Sequence, residues 1–475
     1  MTDHRPAPGT PGNAARNPGV PAPRHAGPAP APVTPGAPAD GPHPWKTRGE
    51  LAVERGLAKI TGSALGPYQS AVVRIGFAVT WLFFLLREYP HRHELYGPGS
   101  PWGFDLAERL VASNDAFTVL LWTDSTLWFE SVYALAVLAS AALALGWHTR
   151  ASSVLFMIGV LSLQNRSVFM GDGGDNIIHL MAIYLVLTRC GQVWSLDARR
   201  TARARARERE RDEPGDTGGV VLWVLSGLAL FAVALGPGLT TGWAMVLGGL
   251  WTVYGAWWAV CRFAPGEPRT VLDVVANLVH NGALFVIMAE VCLVYATAGW
   301  YKIQGSRWQD GTAVYYPLQL DYFAPWPALN DVFAASGLGI MAMTYITVLV
   351  QVAFPFTLFH RKVKNVLLAV MIGEHLSIAV LLGLPFFSMA MIAADMVFLP
   401  TALLVWCGAR GAAVRARLGR RRAGTARPDG ASDDPADDPA DDPADDPAGE
   451  GSAPRGTDAS GGRASATGDP DRALR

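Results

Sequence analysis

Ten apolar stretches, each about as long as a helix that crosses a bilayer, divide the chain between residues 69 and 408. They fall roughly at 69–88, 127–146, 151–169, 175–190, 219–236, 242–262, 275–300, 338–359, 363–383 and 386–408. Roughly 20 apolar residues in a helix span a bilayer core. No water inside lipid can satisfy backbone N–H and C=O groups, so such stretches fold as helices. Of the 475 residues, 50% are hydrophobic although both ends of the chain are polar, which concentrates the apolar residues in the middle. The expected fold is therefore all-α, a polytopic integral membrane bundle of about ten helices over residues 67–408. A Pro/Ala/Gly-rich tail (1–66) precedes it and a polar tail (409–475) follows. Neither tail carries enough apolar surface to offset chain entropy, so both are expected to be disordered.

The loops give an independent test, because cytoplasmic loops carry an excess of Lys and Arg. Lys46, Arg48, Arg55 and Lys59 precede the first stretch, Arg150 follows the second, and an arginine run from Arg199 to Arg207 follows the fourth. Arg262 and Arg269 follow the sixth, Arg361, Lys362 and Lys364 the eighth, and Arg410, Arg415, Arg417 and Arg420 to Arg422 the tenth. Intervening loops such as Gly236-Pro237-Gly238 and Gly383-Leu384-Pro385 are poor in these residues. This alternation predicts an even number of helices and both termini in the cytoplasm. The outer loops at about 89–125 and 303–337 are long. The first holds an interfacial helix near 104–112; the second is rich in aromatics suited to the headgroup layer. Four Asp-Asp-Pro-Ala copies at 433–448 read as a solvated acidic tail. The Lys+Arg total of 39 includes five lysines, leaving 34 arginines. That bias, with abundant Ala, Gly and Pro, is the mark of GC-rich coding DNA and points to a bacterial plasma membrane. The four cysteines show no metal-ligand spacing, and no metal site is expected. The basic run lacks interleaved aromatics, which argues against a nucleic-acid partner.

Ionisable groups inside membrane helices are candidates for function. Glu290 lies in the seventh stretch, Glu374 and His375 in the ninth, and Asp395 in the tenth. Two roles stay open for them: hydrogen-bonding glue between helices, or a working acid/base site. A second group surrounds the outer turn Gly171-Asp172-Gly173-Gly174-Asp175. Asp175 and His179 stand one helical turn apart on a shared face, with Asn176 beside them. Arg166 leaves the preceding stretch at the same end. A third group begins at Lys302, the one lysine on the outer side, with Trp308 and Asp310 following. A cation there either snorkels to the interface or serves chemistry. Arginine is this chain's usual cation and cannot give up its proton, whereas lysine can act as a base.

Several fragments together resemble a known family. They are Arg74-Ile75-Gly76 opening the first helix, the Gly-Asp-Gly-Gly-Asp turn, Trp194-Ser195-Leu196-Asp197, and Ala298-Gly299-x-x-Lys302 followed by Trp308 and Asp310-Gly311. The chain resembles the HTTM family, the horizontally transferred transmembrane domain related to the vitamin K-dependent γ-glutamyl carboxylases, over roughly residues 67–405. In those carboxylases a lysine at the position of Lys302 deprotonates vitamin K hydroquinone, and an Asn-His pair assists at the outer start of a helix, near Asn176 and His179 here. The resemblance implies a quinol of vitamin K type, with O2 and CO2 as co-substrates where the chemistry is carboxylase-like. No counterpart of the carboxylases' lumenal substrate domain is expected in the tail 409–475. Other relatives mature a secreted peptide, which makes a secreted peptide or protein a second kind of partner beside membrane lipid.

The expected function is a membrane enzyme with an outward-facing site for a small lipid-soluble ligand. Lys302, His179, Asn176 and Asp175 are its catalytic candidates, and Arg166, Asp172, Trp308 and Asp310 its ligand-binding candidates. Glu290, Glu374, His375 and Asp395 would support the site or carry protons. The alternatives are a transporter using those carboxylates as a proton or cation path, and a peptide-maturation factor without catalysis of its own.

Overall fold

The computed structural model describes residues 48–207, 217–236, 239–264 and 266–424. Among the described residues all regular elements are helical and none is a strand. The chain divides into two units, Met1–Gly411 and Ala412–Arg475. In the second unit the described residues, 412–424, are helical. The Asp-Asp-Pro-Ala repeats, residues 1–47 of the N-terminal tail and the Pro237-Gly238 turn lie outside the described residues. The principal helices are α1 (Arg48–Gly62), α2 (Pro67–Glu88), α3 (Thr126–Leu145), α4 (Thr149–Arg166), α5 (Gly173–Leu187) and α6 (Thr217–Ala234). They continue with α7 (Thr241–Phe263), α8 (Glu267–Gln304), α9 (Gly337–Ala353), α10 (Arg361–Leu381), α11 (Pro385–Asp395) and α12 (Thr401–Gly424).

Nine of the ten apolar stretches fall on one helix each and the tenth is split between α11 and α12, but they are not alike. Six described segments are long and apolar enough to cross a membrane: Pro67–Tyr96, Thr126–Leu145, Thr241–Phe263, Glu267–Gln304, Gly337–Thr357 and Arg361–Leu381. A seventh counts if the pair Pro385–Phe398 and Thr401–Arg417, bent by 112°, is one broken span. Ten crossings therefore do not follow from length and composition alone. The 15 residues of α5 reach about 22 Å at 1.5 Å per residue, short of a core of about 30 Å. In α4, Ser152, Ser153, Ser162 and Arg166 are buried along with Phe156, Val160 and Leu163. A helix enclosed by protein need not be apolar, so α4 lacks the lipid-facing composition of its neighbours.

The bundle is centred on α2, which packs against α3, α5 and α11, while α4 lies between α3 and α5. Phe77, Trp81, Tyr133, Phe156 and Met181 fill the space between them. Gly76 permits the contact of α2 with α11, since a Cβ there would lie 2.6 Å from Cβ of Ala393. Two fragments of the family resemblance are architectural. The Asp197 carboxylate accepts hydrogen bonds from the backbone N–H of His148 (3.0 Å) and Thr149 (2.7 Å), closing the N-terminus of α4. Nearby, the buried Arg74 donates to the Trp194 carbonyl at 2.8 Å.

The polar tail was expected to remain irregular up to residue 66, yet 48–62 forms α1. Its cause lies far along the chain. Asn281 Nδ2 donates to the carbonyls of Ile60 (2.8 Å) and Ser63 (3.0 Å), and Asn277 Nδ2 donates to that of Thr61 (3.0 Å). His280 Nε2 pairs with the carbonyl of Leu65 at 2.8 Å. Side chains of α8 thus satisfy the carbonyls that a helix end leaves open, which no local pattern in residues 48–66 could announce. A helix, expected near 104–112, is present as Phe104–Asn114.

Candidate functional site

Lys302 stands in the last turn of α8, and its ammonium turns into the bundle. Side chains on a helix lean toward its N-terminus, so the stem runs back into the bundle, where Nζ donates to Gln351 Oε1 of α9 at 2.7 Å. The Gln351 amide donates in turn from Nε2 to Glu374 Oε1 of α10 at 2.7 Å. A buried amide, 5% exposed, thereby joins a cation to a carboxylate across three helices. Trp308, on the short helix Ser306–Gln309, places its ring 5.2 Å from Nζ, within reach of a cation–π contact. Gly299 makes this approach possible: a Cβ there would lie 2.7 Å from Val352 Cγ2. The end of α8 consequently meets the end of α9 rather than its start. The first part of α9 is covered by the segment that follows α8 instead, with Tyr345 Oη donating to the Gln309 carbonyl at 2.9 Å.

His375 follows Glu374 on α10 and belongs to an adjoining cluster. Tyr295 of α8, two turns before Lys302, lies about 10 Å from it along the helix. The Tyr295 hydroxyl donates to Asp395 Oδ2 of α11 at 3.1 Å and lies 3.0 Å from His375 Nε2. Tyr295, His375 and Asp395 are 1%, 3% and 0% exposed. Two buried atoms of this cluster, His375 Nδ1 and Asp395 Oδ1, have no hydrogen-bond partner. The Tyr295 ring rests on Phe354, which packs on Phe398, so an apolar wall closes one side.

The turn before α5 is organised differently. Asp172 Oδ1 accepts from the N–H groups of Gly174 (2.7 Å) and Asp175 (3.1 Å), and Asp175 Oδ2 accepts from the N–H of Asp172 (3.0 Å). Together they form a reciprocal capping box at the start of α5. Gln164 Nε2 donates to the Asp175 carbonyl at 3.0 Å, and Gln164 Oε1 pairs with His179 Nδ1 at 2.9 Å. Asn176 is exposed. Arg166 is buried, and its guanidinium donates to the carbonyls of Trp102 and Gly97, each at 3.0 Å, and to Ser100 Oγ at 3.2 Å. It fastens the 97–102 loop to α4.

Sequence reasoning expected one outer layer containing Lys302 and this turn. The structure brings Lys302, Trp308, Glu374, His375 and Asp395 together and leaves Asp172, Asp175, Asn176, His179 and Arg166 in a separate network. The two adjoin at Phe387, whose ring centroid lies 5.7 Å from that of His375 and which packs against Gly173 and Gly174. Asp310 is exposed and accepts from the Thr312 hydroxyl and N–H, and the hydroxyl bond holds its carboxyl below the usual range. Glu290 is half-buried on α8, outside both clusters. Gln351 and Tyr295 went unnoticed in the sequence. Gln351 is the one side-chain amide within α9, and Tyr295 lies seven residues before Lys302, close to its helical face; those were the available signals. The chain matches no family model, no curated protein and no solved structure in the comparisons made with each.

Proposed function

We propose that this chain is a multi-pass protein of a bacterial plasma membrane, with ten helical crossings and both termini cytoplasmic. In this reading it is an HTTM-type enzyme whose Lys302 acts as a base on a lipid-soluble ligand of quinol type. The alternation of Lys/Arg along the loops supports the topology. One observation carries the chemistry: Lys302 is drawn inward, away from solvent, and coupled through Gln351 to Glu374. A lysine kept only as an anchor would lie at the interface. With a carboxylate one amide away, the pair holds a proton acceptor and a countercharge within an apolar bundle. A ligand that approaches through lipid would reach these groups without crossing water. O2 and CO2 would be co-substrates where the reaction is carboxylase-like. The resemblance of Ala298-Gly299-x-x-Lys302 to the carboxylases' base segment supports the same assignment.

The test is Lys302→Arg, which keeps the charge and abolishes easy deprotonation. In membranes supplied with reduced vitamin K-type quinol, oxygen uptake dependent on the wild-type chain should fall by at least about 100-fold in this variant. Full activity in a folded Lys302→Arg protein would eliminate the base assignment. Mass spectrometry of lipids that copurify with the chain should detect a quinone.

A further inference from the structure

We propose that Tyr295, His375 and Asp395 form a proton relay serving the Lys302 site. The hydrogen bonds themselves make the argument. A tyrosine hydroxyl has one proton to donate, and Tyr295 touches two groups, Asp395 Oδ2 at 3.1 Å and His375 Nε2 at 3.0 Å. When the hydroxyl donates to an ionised Asp395, Nε2 must carry the imidazole proton and donate to the tyrosine oxygen, leaving Nδ1 bare. When the hydroxyl donates to Nε2, the proton sits on Nδ1 and Asp395 Oδ2 is protonated, donating to the tyrosine oxygen. A proton that arrives at Nδ1 converts the first arrangement into the second. It binds Nδ1, the Nε2 proton moves to the tyrosine oxygen, and the former hydroxyl proton moves to Oδ2. One proton is taken up at the imidazole, one appears on the carboxyl, and no bond other than O–H and N–H is made or broken.

The ends of this chain of bonds are open. His375 Nδ1 and Asp395 Oδ1 are both buried and unpartnered, on residues 3% and 0% exposed. Buried polar atoms are seldom left so without a function or a bound group. The middle of the chain, by contrast, is fully paired. Phe354 and Phe398 close the relay on one side. On the other, His375 is joined by a single peptide bond to Glu374, the carboxylate already coupled to Lys302. Glu374 and Lys302 are also the charged groups outside the triad whose fields reach it. A relay walled on one side, with its open His375 end one residue from the carboxylate coupled to Lys302, suits the storage and return of a proton handled at Lys302. The inference rests on the base reading of Lys302 for the origin of that proton, and its test needs no substrate.

Infrared difference spectroscopy of the full chain in lipid nanodiscs, alternating H2O and D2O, reads the Asp395 carboxyl directly. Asp395→Asn identifies the band. In the wild type the band should exchange with solvent deuterium, and in Tyr295→Phe that exchange should slow by at least about 100-fold. Exchange in Tyr295→Phe as fast as in the wild type would overturn the relay. If Tyr295→Phe does not fold, His375→Gln takes its place: exchange slowed in that variant upholds the relay, and exchange as fast as in the wild type overturns it. Loss of quinol-dependent oxygen uptake in Lys302→Arg with unaltered exchange in Tyr295→Phe would keep the enzyme and discard the relay. Slowed exchange with full activity in Lys302→Arg would do the reverse.

Discussion

At the turn before α5, Asp172 and Asp175 bind backbone N–H groups, Gln164 reaches a backbone carbonyl, and Arg166 holds two more. Around Gln351, the corresponding bonds run from side chain to side chain across separate helices. Both regions are polar and partly or wholly enclosed, yet the first uses its hydrogen-bonding capacity to fix the chain path. The second fixes no backbone and leaves two buried atoms open. Richness in polar residues is therefore a poor guide to chemistry. What matters is whether the polar atoms answer to the backbone or to one another.

The sharpest way to break this contrast is to remove Arg166. Its guanidinium makes three hydrogen bonds, to the Trp102 and Gly97 carbonyls and to Ser100 Oγ. Charge-assisted bonds are worth about 1.5–3 kcal/mol each, so Arg166→Ala should lower unfolding stability by at least about 3 kcal/mol. Thermal unfolding in a fixed detergent measures it. A near-neutral Arg166→Ala that instead abolished ligand binding would move Arg166 back among the ligand contacts.

The opposite sign is expected on the other side. Replacing a buried charged network by apolar groups of similar volume is often neutral or stabilising by about 1–4 kcal/mol. The triple variant Lys302→Met, Gln351→Leu, Glu374→Leu should therefore unfold at the same temperature or higher, while losing quinol-dependent oxygen uptake. Loss of folding in this variant would show the network to be structural glue, the reading that the sequence left open.

How far the sequence foretold these regions follows from the same physics. Helical stretches were legible because apolar runs of bilayer length admit little else. Gly299 and Lys302 were visible as an irregularity in such a run. Their partners were not, since Gln351 lies 49 residues beyond Lys302, Glu374 a further 23, and the partners of Tyr295 lie 80 and 100 residues away. Which faces of three separate helices meet is decided by packing, and a lone Gln or Tyr in an apolar run does not name its partner. At the turn one pattern carries two readings: Asp-x-x-Asp before an apolar run is also what a capping box looks like. Helix α1 was missed because its end is held by Asn277, His280 and Asn281 of α8, more than 200 residues away.

The smallest effect tests the turn itself. Loss of a capping side chain costs about 0.5–2 kcal/mol, so Asp172→Ala should destabilise by about 1 kcal/mol. Because Asp172 and Asp175 cap reciprocally, the pair Asp172→Ala/Asp175→Ala should cost less than the sum of the single changes. The difference should be about 0.5 kcal/mol or more, the range seen for residues in direct contact. Both values come from thermal unfolding of four proteins. An architectural turn predicts that quinol-dependent oxygen uptake, compared at equal amounts of folded protein, is the same in all four. If instead Asp172→Ala weakens uptake at saturating folded protein while its stability barely changes, the carboxylate meets a ligand as well as the backbone. The separation between the two regions would then fail at Phe387, which touches both the turn's glycines and the His375 ring.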